Sequence, residues 1–476
     1  MLVSEAPPRE RTVRAHIDCG PLSLDPARAT DYSAVLLLQA LTEPLCRIGA
    51  DGIELAAAES LSHNDEGTRW AVKLRPDLAW SDGTPITSDD FVRAFRTAAA
   101  PEASPLARAV AGELLAGDQS GVERVFRSDG PDRLLVAPDD PVPWVPALLA
   151  STVLAPRLHE AGQDGERLWS GPYCLRSSSL DRVELVSNSH WRGGAGRRPP
   201  IEFAISRDLH APLDQFAAGE LDITCSTFFP VERRSVWRSR GEYRERESSI
   251  GFALHVNPAP LGDDDLRAAR RALSRATSSR AVARGAGHAV EPWRHFVPSF
   301  LAHGVFFDDG DPEAFDPVSA AAELPSAVRE LGELRLIYPD YYPNGAVAEE
   351  LARMWRSALA LEVRPVPVEL SDYVDRFERR DFELALGLWS PAVPDALATL
   401  SMALRVVGDE QIAAANDAFE AGSDDASLIR TLDRILHLDP PFVPIAQVRH
   451  RWLQSPRLSG YKLSASSLDV AGLRWT

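Results

Sequence analysis

Apolar positions along this chain recur at two spacings, and the switches between them mark out its elements. Val72, Leu74 and Leu78 to Trp80 give a short strand pattern, and Ser81-Asp82-Gly83-Thr84-Pro85 behind it is a dense run of turn formers. Thr87 then stands where an N-cap belongs, Asp90 follows three residues later, and Phe91, Ala94 and Phe95 form an apolar face. A helix is expected to begin there, with acidic side chains at its positive end. Asp82, Asp89 and Asp90 are accordingly turn and cap residues in this reading, not acid/base catalysts. Asp263-Asp264-Asp265 before Leu266, Ala269, Arg270 and Leu273 reads as a second acidic helix start.

Strand patterns at Arg182 to Ser187 and Ile201 to Ile205 alternate with helical ones. In the second half, Leu334 to Tyr338 predicts a strand, Pro339 to Gly345 a loop, and Val347, Leu351, Met354, Trp355, Ala358 and Leu359 one face of a helix. Glu362 to Val368 supplies another strand despite Pro365 and Pro367, and Phe382 to Leu388 a third, so a βαβ unit with a parallel sheet is expected. Trp355 is read as core.

The 476 residues exceed one core and suggest two or three domains. A formal net charge of −18 argues against nucleic acid or an anionic membrane as partner, since both reward a basic face. The basic run Arg233 to Arg246 is interleaved with Glu242 and Glu245 and predicts a solvated, mixed-charge helix face. Cys19, Cys46, Cys174 and Cys225 have no C-x-x-C spacing and read as small buried residues. Met1 to Arg14 holds no apolar run of signal-peptide type, so the expectation for the chain as written is the cytoplasm, or an extracellular, lipid-anchored location if a longer start exists. The longest apolar run, Ala34 to Leu38, is too short to span a bilayer.

The segment Leu74 to Val92 closely resembles the pattern LR-x-G-x-x-W-S-D-G-T-P-x-T-A-x-D-V of the peptide/nickel/opine class, family 5, of solute-binding proteins that serve ABC importers. Further matches follow in order: Ser23-Leu24-Asp25-Pro26 with Leu41-Thr42-Glu43-Pro44-Leu45, Ser170-Gly171-Pro172-Tyr173, Asn188 to Gly194, Ala217 to Ile223, His255-Val256-Asn257 with Asp264 to Arg267, and Asp381 to Ala385 with Leu388-Trp389. The resemblance implies an α/β, bilobal periplasmic-binding-protein-like clamshell of class II with an inserted third subdomain. Lobe I would comprise about 1–46, 165–250 and 451–476, the insertion about 47–164, and lobe II about 251–450. A small-molecule ligand would lie between the lobes, with hinge crossings near 250 and 450. An importer permease would be the partner of a secreted form, and the chain is expected to be a monomer.

No G-x-S-x-G, H-E-x-x-H or Walker A motif is present, and Gly193-Gly194-Ala195-Gly196 runs into Arg197-Arg198-Pro199-Pro200 instead of a helix, so no cofactor is indicated. His288, His295 and His303 stand at wide spacings in a loop-like region and are expected as exposed imidazoles, not metal ligands. The most informative stretch is Leu388 to Asp395. In peptide-binding relatives the matching pattern is G-W-x-A-D-Y-x-D-P, whose first Asp pairs with the peptide's α-amino group. That position is Ala392 here, and a buried ammonium without a charge partner costs several kcal/mol. The chain is therefore expected to bind a non-peptide or N-blocked ligand. Candidate lining residues are Tyr32, Ser33, Phe252, His255, Asn257, Trp389, Ser390, Pro391 and Ala392, with core or hinge packing as the competing role of each.

A second reading makes the chain a cytoplasmic protein of a biosynthetic pathway, recruited from this fold as an enzyme or as a ligand-sequestering self-protection protein. An Arg- and Ala-rich, Lys-poor composition of actinobacterial type is compatible with it. Its general acid or base would come from His255, Glu383 or Asp395. A ligand-sensing regulator is a third reading, against which the acidic charge and the lack of a helix-turn-helix both tell.

Overall fold

Strand alternation and helical stripes build three large apolar cores, each on its own sheet, with smaller apolar clusters beside them. The computed structural model describes residues 11–49, 52–115, 121–157, 167–192, 198–302, 305, 307, 315–420, 424–465 and 467–476. The glycine-rich run 193–197 and His303 lie outside them.

The first sheet is ordered Val13–Ile17, Ile201–Ile205, Arg182–Ser187, Tyr173–Ser178. Its first pair is parallel and the others antiparallel. Helix Tyr32–Leu41 buries Leu37, Leu38 and Leu41 against it, and Trp452, Leu463, Leu468 and Leu473 from the chain's end complete the same core. The second sheet, Ala58–His63, Trp70–Leu74, Arg133–Val136, Phe126–Ser128, is backed by helices Ser88–Ala99 and Pro105–Leu115. The expected turn follows Trp70–Leu74. Asp82 Oδ1 accepts from the Thr84 amide (2.9 Å) and hydroxyl (2.7 Å), and Gly83 supplies the positive φ of 90°. Asp90 accepts from the Thr87 amide at 2.8 Å, closing the N-terminus of Ser88–Ala99.

Six strands form the third sheet, in the order Val290–Glu291, Val443–Leu453, Tyr243–Val256, Leu384–Trp389, Leu334–Pro339, Val363–Val368. The predicted βαβ unit is there: Leu334–Pro339 is parallel to both Val363–Val368 and Leu384–Trp389, with helix Asn344–Leu359 as the crossover. Pro365 and Pro367 are tolerated because Val363–Val368 is an edge strand. Trp355 is fully buried and donates its Nε1–H to Thr277 Oγ1 at 3.0 Å. Helix Asp263–Arg275 starts on its three aspartates, as expected.

Two long strands join the cores. Residues 243–247 lie opposite 449–453, where Thr224 holds Leu453 through both its amide and its hydroxyl, on the side of the first core. The register shifts between Glu247 and Gly251, and residues 251–256 then pair with Leu384–Trp389 in the other core. The bulge therefore sits where the pair passes from one lobe to the other. This corrects the helix-face expectation for Arg233 to Arg246. Only Arg234–Arg238 is α-helical there, and Tyr243 onward is strand, with Glu245 paired to Arg234, Arg449 and Arg451.

The second core also reaches helix Ala396–Leu404, whose Leu400 and Leu404 belong to a further apolar cluster with helix Asp425–Leu438. Glu113, 2% exposed, accepts from Trp144 Nε1 (3.0 Å), Arg405 Nε (2.6 Å) and Ser401 Oγ (3.3 Å). Replacing Trp355 with Ala is expected to cost about 3–5 kcal/mol, from the cavity left and the lost indole hydrogen bond. Urea denaturation, followed by circular dichroism, measures it.

Candidate ligand-binding site

Three parallel-strand ends point at one space. Asp18 and Cys19 directly follow Val13–Ile17, Tyr341 follows Leu334–Pro339, and Trp389 closes Leu384–Trp389. Between these ends lies a cavity of about 330 Å³, large enough for a compact organic ligand. The outer side is closed by Ile48, Leu106 and Ala150 to Thr152 from the second core's region, and the crossing contributes Ser249 and Ile250. A more open cleft of about 660 Å³ lies between Arg47, Glu54, Arg246 and Lys462. Its charges are largely paired to one another, as in Arg47 with Glu54 and Lys462 with Asp469, and none of the candidate residues reaches it.

Of the candidates from sequence, Tyr32, Trp389, Ser390, Pro391 and Ala392 line the cavity. Tyr32 opens helix Tyr32–Leu41, behind the N-cap Asp31, whose carboxylate accepts from the amides of Ala34 (2.8 Å) and Leu22 (2.9 Å). Its hydroxyl lies 3.4 Å from His450 Nε2. Trp389 can lie flat along the crossing strand because its register partner is glycine: a Cβ on Gly251 would stand 2.4 Å from the indole nitrogen. Ser390 Oγ donates to Ser249 Oγ at 2.9 Å, tying the strand end to the bulge.

The remaining candidates are placed elsewhere. Ser33 is buried one layer back, its hydroxyl 3.4 Å from Cys19 Sγ. Phe252 is fully buried in the third core. His255 packs against the rings of Phe377 and Phe442, and burial lowers its pKa to about 4. Asn257 donates from Nδ2 to the carbonyls of Arg380 (2.8 Å) and Phe382 (2.6 Å), a turn-locking role. Glu383 is engaged by Arg335 at 2.8 and 3.0 Å, and Asp395 caps helix Ala396–Leu404 through the Ala398 amide. None of the three acid/base nominees, His255, Glu383 and Asp395, is among the lining residues.

Sequence reading missed Asp18, Cys19, Tyr341 and Tyr373. The signal available was positional: ligands of open α/β sheets sit outside the carboxyl ends of parallel strands, where Asp18 and Tyr341 stand. Burial raises the Asp18 pKa, partly offset by hydrogen bonds from its own and the Cys19 amide and from the Cys19 and Cys225 thiols. Burial likewise pushes the Cys225 thiol up to about 12. Of the four cysteines only Cys46 is fully buried, and Cys19 faces the cavity. No Lys, Arg or His is among the described residues that line it; Asp18 and Asp31 are its charged groups.

The family model for bacterial extracellular solute-binding proteins, family 5, matches residues 52–410, and the chain belongs to that family. It is 23% identical to the periplasmic murein peptide-binding protein MppA of Escherichia coli, over 96% of this chain and 91% of that one. To the oligopeptide-binding protein OppA of Bacillus subtilis it is 21% identical, over 94% and 90%. Among solved structures, the E. coli murein tripeptide binding protein MppA superposes with a TM-score of 0.84 at 20% identity, covering 98% of each chain. Haemophilus influenzae OppA in complex with RPPGFSPFR gives 0.82 at 19% identity, covering 98% and 99%. These overlays establish the bilobal clamshell. The unliganded open form of MppA scores 0.64 at similar coverage, so the lobes here are set more as in the first MppA structure than as in the open one.

Two expected outcomes follow from this geometry. Replacing Gly251 with Val displaces the Trp389 indole, and is expected to shift its fluorescence while leaving the far-ultraviolet dichroism unchanged. His450 is fully buried, and desolvation lowers its pKa from 6.5 to about 4. Between those values the unfolded chain binds a proton that the folded chain does not, so stability is lost as pH falls from 6.5 towards 4. The loss is on the order of 3 kcal/mol and levels off below that. Urea midpoints across this range measure it, and His450→Gln should reduce the slope without abolishing it, because His255 is lowered in the same way.

Proposed function

We propose that this family 5 solute-binding protein captures a compact ligand that carries a basic or hydrogen-bond-donating group and no carboxylate. The observation that carries the reading is the charge pattern of the cavity: two aspartates and no cationic side chain among its described lining residues. A free peptide brings two charges into it. Its ammonium would lack a carboxylate at position 392, and its terminal carboxylate would meet Asp18 and Asp31 with no cation to offset it. Asp31 is engaged in capping, so a ligand nitrogen would find its partner at Asp18, just past strand Val13–Ile17. Trp389, Tyr341 and Tyr373 offer aromatic faces for the apolar body, and such faces also favour cations. In this reading the lobes close by bending at the bulge near Gly251, and the loaded protein delivers its ligand to an ABC permease.

Thermal-shift and calorimetric titration against three sets tests it: free di- to pentapeptides, the same peptides N-acetylated and C-amidated, and small aromatic amines. Amines and blocked peptides are expected to raise the Tm by several degrees at a hundredfold excess over Kd, about 2.7 kcal/mol of stabilisation. Asp18→Asn should weaken amine binding about 10- to 100-fold. Strong stabilisation by free peptides, with no response to amines, would overturn the proposal.

A further inference from the structure

We infer that His295, Asp433 and His437 form a binding site for one divalent transition-metal ion, zinc fitting the donor set best. The site lies in the apolar cluster around helix Asp425–Leu438, apart from the ligand cavity. His437 follows Asp433 by four residues on that helix, so both side chains project from one face. His295 arrives from the segment between strand Val290–Glu291 and the short turn Ser299–Leu301, and its side chain is only 18% exposed, not the free imidazole its sequence context suggested. Asp433 is 1% exposed.

Both imidazoles converge on a single carboxylate oxygen. His295 Nδ1 is 2.7 Å and His437 Nε2 3.5 Å from Asp433 Oδ2, and the three ligand atoms all lie within 4.8 Å of one another. The longer separation is poor for a hydrogen bond, but it suits two ligands of one ion. Zinc at about 2.0–2.2 Å from each donor in a tetrahedron holds them roughly 3.3–3.6 Å apart. Side-chain shifts of about 1 Å would bring the observed donors to that spacing. The other carboxylate oxygen is already occupied by the Phe296 amide at 2.8 Å, the orienting outer contact that ligating carboxylates require. Phe307 stacks on the His295 ring at 3.7 Å and Phe296 meets the His437 ring at 4.9 Å, so both imidazoles lie against aromatic walls. Two imidazoles, one carboxylate and a fourth position for water make a set that zinc accepts and that calcium or magnesium, which prefer oxygen, do not.

The ion would act as a staple. Four residues beyond His295, Ser299 donates from its amide to Gln447 Oε1 (3.1 Å) and from its hydroxyl to Glu247 Oε1 (3.3 Å), one residue on each crossing strand beside the bulge. Metal at His295 would therefore bind the helix to the hinge edge.

Tag-free protein stripped with chelator and titrated calorimetrically with zinc is expected to bind one ion per chain and to gain thermal stability. Cobalt at the same site should give the visible absorption of a tetrahedral complex. Asp433→Asn keeps an acceptor for the Phe296 amide, and His437→Gln keeps the helix. Each should bind zinc at least about a hundredfold more weakly, with far-ultraviolet dichroism unchanged. If Asp433→Asn does not fold, His295→Ala at the rim of the cluster carries the same test. Absence of stoichiometric binding by the unmodified protein at micromolar zinc, or equal binding by the folded variants, overturns the assignment.

Discussion

Two strands that leave one core and enter another as a hydrogen-bonded pair govern the rest of this molecule. Along Tyr243–Val256 and Val443–Leu453 the backbone bonds resist sliding and separation, so the lobes keep a fixed register. At the shift between Glu247 and Gly251 the ladder is interrupted and the pair can bend. The pairing is reinforced on one side by Arg451, nearly inaccessible to solvent, which reaches both Glu245 and Glu291. Removing Arg451 would leave Glu245 with Arg234 and Arg449 but strip Glu291 of this partner. Ser249 and Ile250, the residues at the bend, are also part of the cavity wall.

The cavity's chemistry follows from where the parallel strands end. Side chains just past a strand's last ladder residue, such as Asp18 and Tyr341, face the crevice, and Trp389 joins them from the last position of its strand. The surroundings are apolar enough to raise the Asp18 pKa, and the only other charged group of the described lining is a second aspartate. In the proposed reading, such a space would favour a ligand that brings positive charge or hydrogen-bond donors over one that brings a carboxylate. Gly251 makes room for the indole that forms one wall, an instance of a missing side chain setting the shape of a site.

Elements defined by neighbours along the chain are legible in the residue pattern alone. The turn at Asp82 to Thr84 and the start of Ser88–Ala99 depend on contacts within a few residues, and the two strands and the helix of the crossover Leu334–Pro339, Asn344–Leu359, Val363–Val368 each carry their own periodicity. Around the crossing, local pattern is a poor guide. Arg234 to Glu247 mixes charges as an exposed helix would, yet part of it is strand because Glu245 finds three arginines, two of them brought from the far end of the chain. Phe252, His255 and Asn257 lie on or just past the crossing strand, but a strand sends alternate side chains to opposite faces, and a bulge resets which face is which. His295 reads as a loop imidazole until helix Asp425–Leu438 is laid against it.

By itself, the sequence determined the α/β class, the family signature from Leu74 to Val92, and the caps and turns. Each is a property of one residue or one short segment, carried by steric preference and periodicity. Tertiary structure alone decided that Asp18 would share a wall with residues more than three hundred positions away, that Trp389 would lie over Gly251, and that Asp433 would meet two histidines. The physical reason is that burial and electrostatic environment are collective. A carboxylate's character is set by which groups the fold withdraws from water beside it, and those groups come from remote parts of the chain.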